Sequence, residues 1–331
     1  MKILFVFTGG TIGSAYNGDI ISLNAKMPYA LIDEYSKKYP IDFDFDVISP
    51  YSVLSENNTG LEISSLINTI ARANGFDGIV IAHGTDTLQY TAAALGYFFG
   101  NSCNPICVIS SNYPLSDIRA NGLYNLHSAI SLIKLKSEKG VFVAYKNSDD
   151  NKTVLHRASR LLAHDAFSDL LRSARGAYYG FFDESGDFVK NTDFTEKPDI
   201  ISAPVIKEFS AMAERILLIS SHVGMTYPSL DGIEYVLIDS YHSGTVDTVS
   251  EQARRFYFSA RERGISVFLA GAYGGAQYQS VKEFEPLSII PIPNIAPIAL
   301  YVKLWLYSQN GIVDKELLLS SRGGDVIDFF S

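Results

Sequence analysis

Two short stretches place hydroxyls among glycines directly behind apolar runs. "FTGGTIG" (7–13) sets Thr11 after Gly9 and Gly10 and just before Gly13, and it follows "KILFVF". "HGTDT" (83–87) sets Thr85 beside Asp86, and it follows "GIVIA". A hydroxyl attacks an acyl carbon only where one group takes its proton and others hold the developing oxyanion. Glycines suit that chemistry because they let backbone approach a ligand closely and aim N–H groups at it. A nucleotide cradle fits less well. Gly9, Gly10 and Gly13 do not make the G-x-G-x-x-G spacing, and no G-K-[ST] is present. The bland alternative stays open at this point, since a threonine in such a loop can cap the next helix through its side-chain oxygen.

The elements that must position these loops read as an open parallel sheet. Strands are expected at "KILFVF", "DFDFDVI", "GIVIA", "PICVIS" and "GVFVAY", with crossover helices at "TLQYTAAALGYFF" and "LSDIRANGLYNLHSAISLI". In the second helix the spacing puts Leu115, Ile118, Leu126 and Ile133 on one face. Ligands of such sheets bind at the C-terminal ends of strands. That adds "SENN" (55–58) and "SSNYPLSD" (110–117) to the two threonine loops. After Tyr145 the pattern turns polar and hairpin-like, and "NTDFTEKPDIISAPVIKEF" reads as a connector. A second α/β series follows, with "RILLIS", "YVLIDS", a helix at "TVSEQARRFYFSARERG", "ISVFLA" and a late helix near 296–308. The expected fold is α/β in two domains. An N-terminal parallel-sheet, Rossmann-like catalytic domain spans 1–190, a linker 191–210, and a smaller C-terminal α/β domain 211–331.

Composition narrows the classes of function. With 331 residues, 47% of them hydrophobic and 19% charged, there is ample material for two cores. A net charge of −9 and the lack of a Lys/Arg block argue against nucleic acid and anionic membranes. The run "ILFVF" is shorter than a signal-peptide core, and "IAPIALYVKLWLY" is interrupted by Lys303, so a cytoplasmic protein is expected. Cys103 and Cys107 fit neither a CxxC redox pair nor a zinc knuckle and read as reduced thiols. The six histidines form no HxH or HExxH, so no metal is expected.

"TGGTIG" and "HGTDTL", in this order, with "PLSDIRANGLYNLHSAI" behind them, resemble the bacterial-type L-asparaginases, closest to the cytoplasmic type I branch. The likeness is close over 1–170 and looser beyond. It implies hydrolysis of L-asparagine to L-aspartate and ammonia through a threonine acyl-enzyme, with no metal or organic cofactor. Carried over by position, it implies Thr11 as nucleophile, Thr85 as the second threonine and Asp86 as the partner of the substrate α-ammonium. Ser55 and Glu56 match the loop that holds the α-carboxylate and α-ammonium groups, and Ser111 matches a pocket-lining position that could equally bond its own loop. It also implies a homotetramer or dimer that binds a small-molecule amino acid.

Three positions depart from the family pattern. Where the family has a lysine, bonded to the aspartate and the second threonine, Arg160 stands, with Arg157 and Lys152 nearby. Arginine keeps the charge and can pair with Asp86, but it does not give up a proton. Tyr16 precedes the position of the lid tyrosine, where Asp19 stands, and could still swing over the site. Thr245 stands where a neighbouring protomer of the family contributes an asparagine. The alternative is a catalytically weakened amino-acid-binding or regulatory protein on the same fold. A third reading, the asparaginase-like component of a transamidosome, is disfavoured because no extra N-terminal domain is seen.

Overall fold

The computed structural model describes residues 1–10, 12, 14–17, 20–23, 27–205, 215–272 and 278–328, with backbone alone for 14–17, 20–23 and 27–29. The chain divides into two compact units, Met1–Thr195 and Glu196–Ser331, and the division falls inside the stretch read as a connector.

The first unit runs β1 (Lys2–Phe7), β2 (Ser14–Asn17), β3 (Ile20–Leu23), α1 (Met27–Lys38), β4 (Asp44–Ile48), α2 (Gly60–Arg72), β5 (Gly78–Ala82), α3 (Leu88–Phe99), β6 (Ile106–Ile109), α4 (Gly122–Leu135), β7 (Val141–Tyr145), β8 (Thr153–Arg157), β9 (Gly180–Phe182) and β10 (Phe188–Lys190). Its main sheet has the order β10-β9-β8-β7-β6-β5-β1-β4. Strands β4, β1, β5, β6 and β7 are parallel, and β8 to β10 join antiparallel. The central strands β5, β6 and β7 are buried along their whole length, which is why their sequences are unbroken apolar runs. Edge strand β4 alternates instead, and its Asp46 pairs with Lys2 at 2.7 Å.

Because β1 lies between β4 and β5, the chain builds outward from β1 in both directions. The strand order therefore reverses at β1, and a crevice opens beyond the C-terminal ends of β1 and β5. The two threonine loops leave the sheet from those two ends.

All five expected strands of this unit form. Helices α1 and α2 and the β2–β3 hairpin, not anticipated from the sequence, complete it. Helix α2 starts at a capping box, with the Thr59 side chain accepting from the first turn and Glu62 reaching back to the Thr59 N–H at 2.9 Å. The helix expected from Leu115 begins only at Gly122, and Ile118 is fully exposed rather than on a buried face. Local hydrogen bonds outcompete the helical period there. Asp117 N–H donates to Pro114 O, Asp117 Oδ1 accepts from Arg119 N–H, and Asn112 and Asn121 accept from each other's backbone at 3.0 and 3.1 Å.

The second unit contains β11 (Ile216–Ser220), β12 (Tyr235–Asp239), α5 (Glu251–Glu262), β13 (Ser266–Ala272), β14 (Ile289–Pro293), α6 (Pro297–Ser308) and α7 (Lys315–Leu319). The parallel sheet follows chain order, β11-β12-β13-β14, without reversal. Ser250 caps α5 by accepting from Ala253 N–H at 3.2 Å, and Phe256 and Tyr257 pack onto Val236 and Leu269. Strand β14 and helix α7 are not evident from the sequence pattern.

Candidate active site

Glycines bring the loops together. After β1, Gly9 and Gly10 both take positive φ, 105° and 75°. A Cβ on Gly10 would lie 2.2 Å from Gly84 Cα, so the loop after β1 and the loop after β5 touch backbone to backbone. A Cβ on Gly84 would in turn meet Ser55 Oγ at 2.4 Å. Three loops thus converge at a point where no side chain fits.

Hydrogen bonds lock that convergence. Gly10 N–H donates to Val53 O, and Thr8 donates to Ala82 O from both its N–H, at 3.1 Å, and its hydroxyl, at 2.9 Å. His83 is fully buried, and its Nδ1 sits 2.8 Å from Gly84 O, which can only accept. Nδ1 therefore carries the proton, and Nε2 accepts from Asn58 Nδ2 at 3.0 Å. Burial pushes the His83 pKa down to about 4, so the ring stays neutral near pH 7 and holds this single arrangement. Thr87 Oγ1 donates to Ser55 O at 2.8 Å and accepts from Asn58 Nδ2 at 3.1 Å. The Ser55 hydroxyl donates to Asp86 Oδ2 at 3.0 Å while its oxygen accepts the Asp86 N–H at 3.2 Å. This exchange aims the exposed Asp86 carboxylate.

A cavity of about 550 Å³ opens beside this junction, lined by Thr85, Asp86, Gln89, Asn112, His164 and Asp169 among others. Two of these groups have a buried atom without a partner, Gln89 Oε1 and His164 Nε2. The other Gln89 amide atom, Nε2, donates to Asp86 O at 3.1 Å. Unsatisfied buried polar atoms at a cavity wall mark a place where a polar ligand would be held.

The expected residues fall out as follows. Thr85 and Asp86 line the cavity, and Ser55 supports Asp86 from behind. Glu56 is exposed in the short 3-10 turn Ser55–Asn57. Thr11 lies outside the described residues, as does Asp19, and Tyr16 is described only as backbone of β2. Ser111 is buried, but its hydroxyl turns to Tyr113 O at 2.6 Å, and the neighbouring Asn112 and Tyr113 line the cavity in its stead. Arg160 is buried, donates to Thr195 O at 2.7 Å and lies over the Phe194 ring, whereas Asp86 has Ser55 as its partner. The expected Arg160–Asp86 pairing gives way to these separate contacts because the turn Ala158–Arg160 packs against α3 and carries the guanidinium into the core. In the second unit, Thr245 shares a 2.9 Å hydrogen bond with Ser243 Oγ in the loop after β12.

Sequence reading reached Asn112 only as part of the loop "SSNYPLSD" and did not single out Gln89, His164 or Asp169. The only signal for the last two was a histidine and an aspartate five apart in the polar segment "HDAFSD". Cys103 and Cys107 are both free. Among the described residues, no helix is long and apolar enough to cross a membrane.

Residues 2–171 match the family model described as asparaginase, N-terminal. A glutamyl-tRNA(Gln) amidotransferase subunit of Pyrococcus abyssi is 23% identical over 354 residues, covering 99% of this chain and 77% of the relative. L-asparaginase 1 of Escherichia coli is 34% identical over 133 residues, 39% of each chain. Among solved structures, the thermostable L-asparaginase from Thermococcus kodakarensis matches with a TM-score of 0.79 at 19% identity, covering 99% of this chain and 100% of that one. L-asparaginase I from Vibrio cholerae matches with a TM-score of 0.75 at 21% identity, covering 98% of this chain and 99% of that one. At these identities the structural likeness is one of fold.

Proposed function

The chain belongs to the asparaginase family, and from that premise we propose that it hydrolyses the side-chain amide of L-asparagine to L-aspartate and ammonia through an acyl ester on Thr11. The observation that supports this reading is the close contact of Gly10, the residue before Thr11 in the sequence, with Gly84, the residue before Thr85 and Asp86, which line a polar cavity. Thr85 is assigned the second hydroxyl of the relay. Asp86, fixed by Ser55, is assigned the α-ammonium of the substrate, for which an exposed carboxylate is the fitting partner. Glu56 adds negative charge on the same loop, and Tyr16 is assigned the lid. Thr245 of a second copy would complete the pocket in a cytoplasmic homotetramer or dimer.

The test is ammonia release by purified protein from L-Asn, D-Asn, L-Gln and simple amides. Activity on L-Asn, abolished in Thr11→Ala, is the expected result. Discrimination of Asn from Gln turns on one methylene, for which a pocket supplies roughly 1–3 kcal/mol. Turnover of none of these amides, with calorimetric binding of Asn or Asp retained, would favour the weakened binding protein instead. That reading draws support from Arg160, which donates to Thr195 O, and from Asp86, whose hydrogen-bond partner is Ser55.

One further observation favours a different reading. The relatives that match nearly the whole chain include subunits of glutamyl-tRNA(Gln) amidotransferase, so the chain would release ammonia for a partner enzyme. Hydrolysis that appears only when an amidotransferase partner is added would support it.

A further inference from the structure

The cavity that Thr85 and Asp86 line is also lined by Ala163, His164, Phe167, Ser168 and Asp169, and Tyr145 at the end of β7 supports this segment from outside the lining. Asp169 accepts on one oxygen from the Tyr145 hydroxyl and on the other from Asn112 Nδ2, at 2.5 Å for the latter, so its carboxylate is pinned from two sides. His164 stands edge-on to the Tyr145 ring, 5.3 Å between centroids, and its Nε2 is buried without a hydrogen-bond partner. The charged and titratable groups that face it are Asp169, Asp86 and Asp165, with His156 behind. His156 is fully buried and shares a 2.8 Å hydrogen bond between its Nδ1 and Ser173 Oγ. Among the described residues, no three His, Cys, Asp or Glu side chains are grouped to hold a metal.

The cations that the sequence offered for proton handling are engaged elsewhere. Arg160 is on Thr195 O, Arg157 donates to Lys139 O at 2.7 Å and lies over Phe142, and Lys152 lies over Phe181. An arginine would not cycle a proton in any case. An imidazole does so near neutral pH, and one with three carboxylates facing it has its positive form stabilised when it forms.

We propose that His164 is the proton carrier of this pocket, with Asp169 as the carboxylate that positions it. The inference rests on the amide-hydrolysis reading. The imidazole takes the proton of the attacking threonine hydroxyl, directly or through Thr85, as that oxygen bonds to the amide carbon. The imidazolium gives the same proton to the amide nitrogen as the C–N bond breaks and ammonia leaves. Water then attacks the ester, its proton goes to the imidazole, and the imidazolium returns it to the departing threonine oxygen. The sum is amide plus water to acid plus ammonia, with no other reactant.

The experiment measures kcat/KM for ammonia release from L-Asn between about pH 4.5 and pH 9 in the wild type, His164→Gln and Asp169→Asn. Burial lowers the His164 pKa more than the carboxylates raise it, so the acid limb of the wild-type profile is expected below the ordinary 6.5 of histidine. His164→Gln, with its thermal midpoint kept, is expected to lose about 100-fold or more and to lose that limb. Asp169→Asn removes a charge that favours the imidazolium, so its limb moves to lower pH. A His164→Gln enzyme within about threefold of wild type and with the same acid limb overturns the proposal. If the wild type hydrolyses none of the amides, the functional reading falls first, and NMR titration of the His164 ring decides the inference. A ring whose titration is indifferent both to Asp169→Asn and to added L-Asp overturns it, and one that responds to both sustains it.

Discussion

In the C-terminal unit, Lys303 is wholly buried in the middle of α6, yet its ammonium donates to Asp325 Oδ2 at 2.7 Å, Leu318 O at 2.9 Å and Ser320 O at 2.6 Å. Asp325 in turn accepts the Arg322 N–H, and Arg322 pairs with Asp199 at 2.8 Å. In the N-terminal unit, the polar groups around the cavity are only partly matched, and Gln89 Oε1 and His164 Nε2 are buried without partners. The first arrangement closes on itself and therefore holds structure. The second is open toward a cavity, which is where the proposed substrate would be held. Burial of polar groups is common to both, so what distinguishes a site from a strut is whether the donors and acceptors balance. Sheet topology gives the same contrast, because strand order reverses at β1 in the first unit and runs straight through β11 to β14 in the second.

Removal of one partner from the closed network should have the largest effect on stability. Lys303→Met leaves Asp325 buried without its ammonium, and we expect a loss of about 3–5 kcal/mol, read as a lowered denaturant midpoint. Thr85→Ala should act in the opposite way, lowering kcat by about 100-fold or more while the denaturant midpoint stays near that of wild type. If the Lys303 variant is as stable as wild type, or the Thr85 variant unfolds early, the distinction drawn between the two units fails.

Acid should then separate them further. His83 and His156 have folded pKa values of about 4 and about 3, both below the unfolded 6.5, because burial disfavours the charged ring. Between the folded and unfolded values the unfolded chain binds more protons, so stability falls as pH drops below 6.5. For His83 the loss is complete near pH 4, and at most about 3 kcal/mol is involved. Hydrogen exchange at pH 5 should show β5 and β8 of the first unit loosening relative to pH 7. Equal protection at the two pH values would show that the rings are not held neutral. The smallest effect is expected at the edge of the site. Thr59→Ala removes the capping box of α2 and should cost about 1 kcal/mol with kcat retained.

The sequence alone determined the layer architecture of the first unit, since "GIVIA", "PICVIS" and "GVFVAY" can be buried on both faces only as central strands of a covered sheet. It also pointed to the loops of Gly10 and Gly84, whose backbones the structure brings into contact. It misjudged the start of α4, where the helical period of Leu115 and Ile118 is cancelled by turn hydrogen bonds of Asp117 and by the Asn112–Asn121 exchange. The exchange joins residues nine apart, and no periodicity reports it.

Only tertiary structure decided what surrounds Asp86. By the resemblance Arg160 is expected beside Asp86, but the turn Ala158–Arg160 packs against α3 and Arg160 donates to Thr195 O. The wall that carries His164, Asp169 and Asn112, with Tyr145 bonded to Asp169 behind it, is assembled from three separate parts of the chain. Residue types and spacings encode what a local segment prefers. Which side chains share a cavity, and which polar atoms there lack a partner, depends on how distant segments pack, and that exists only once the sheet and its helices are in place.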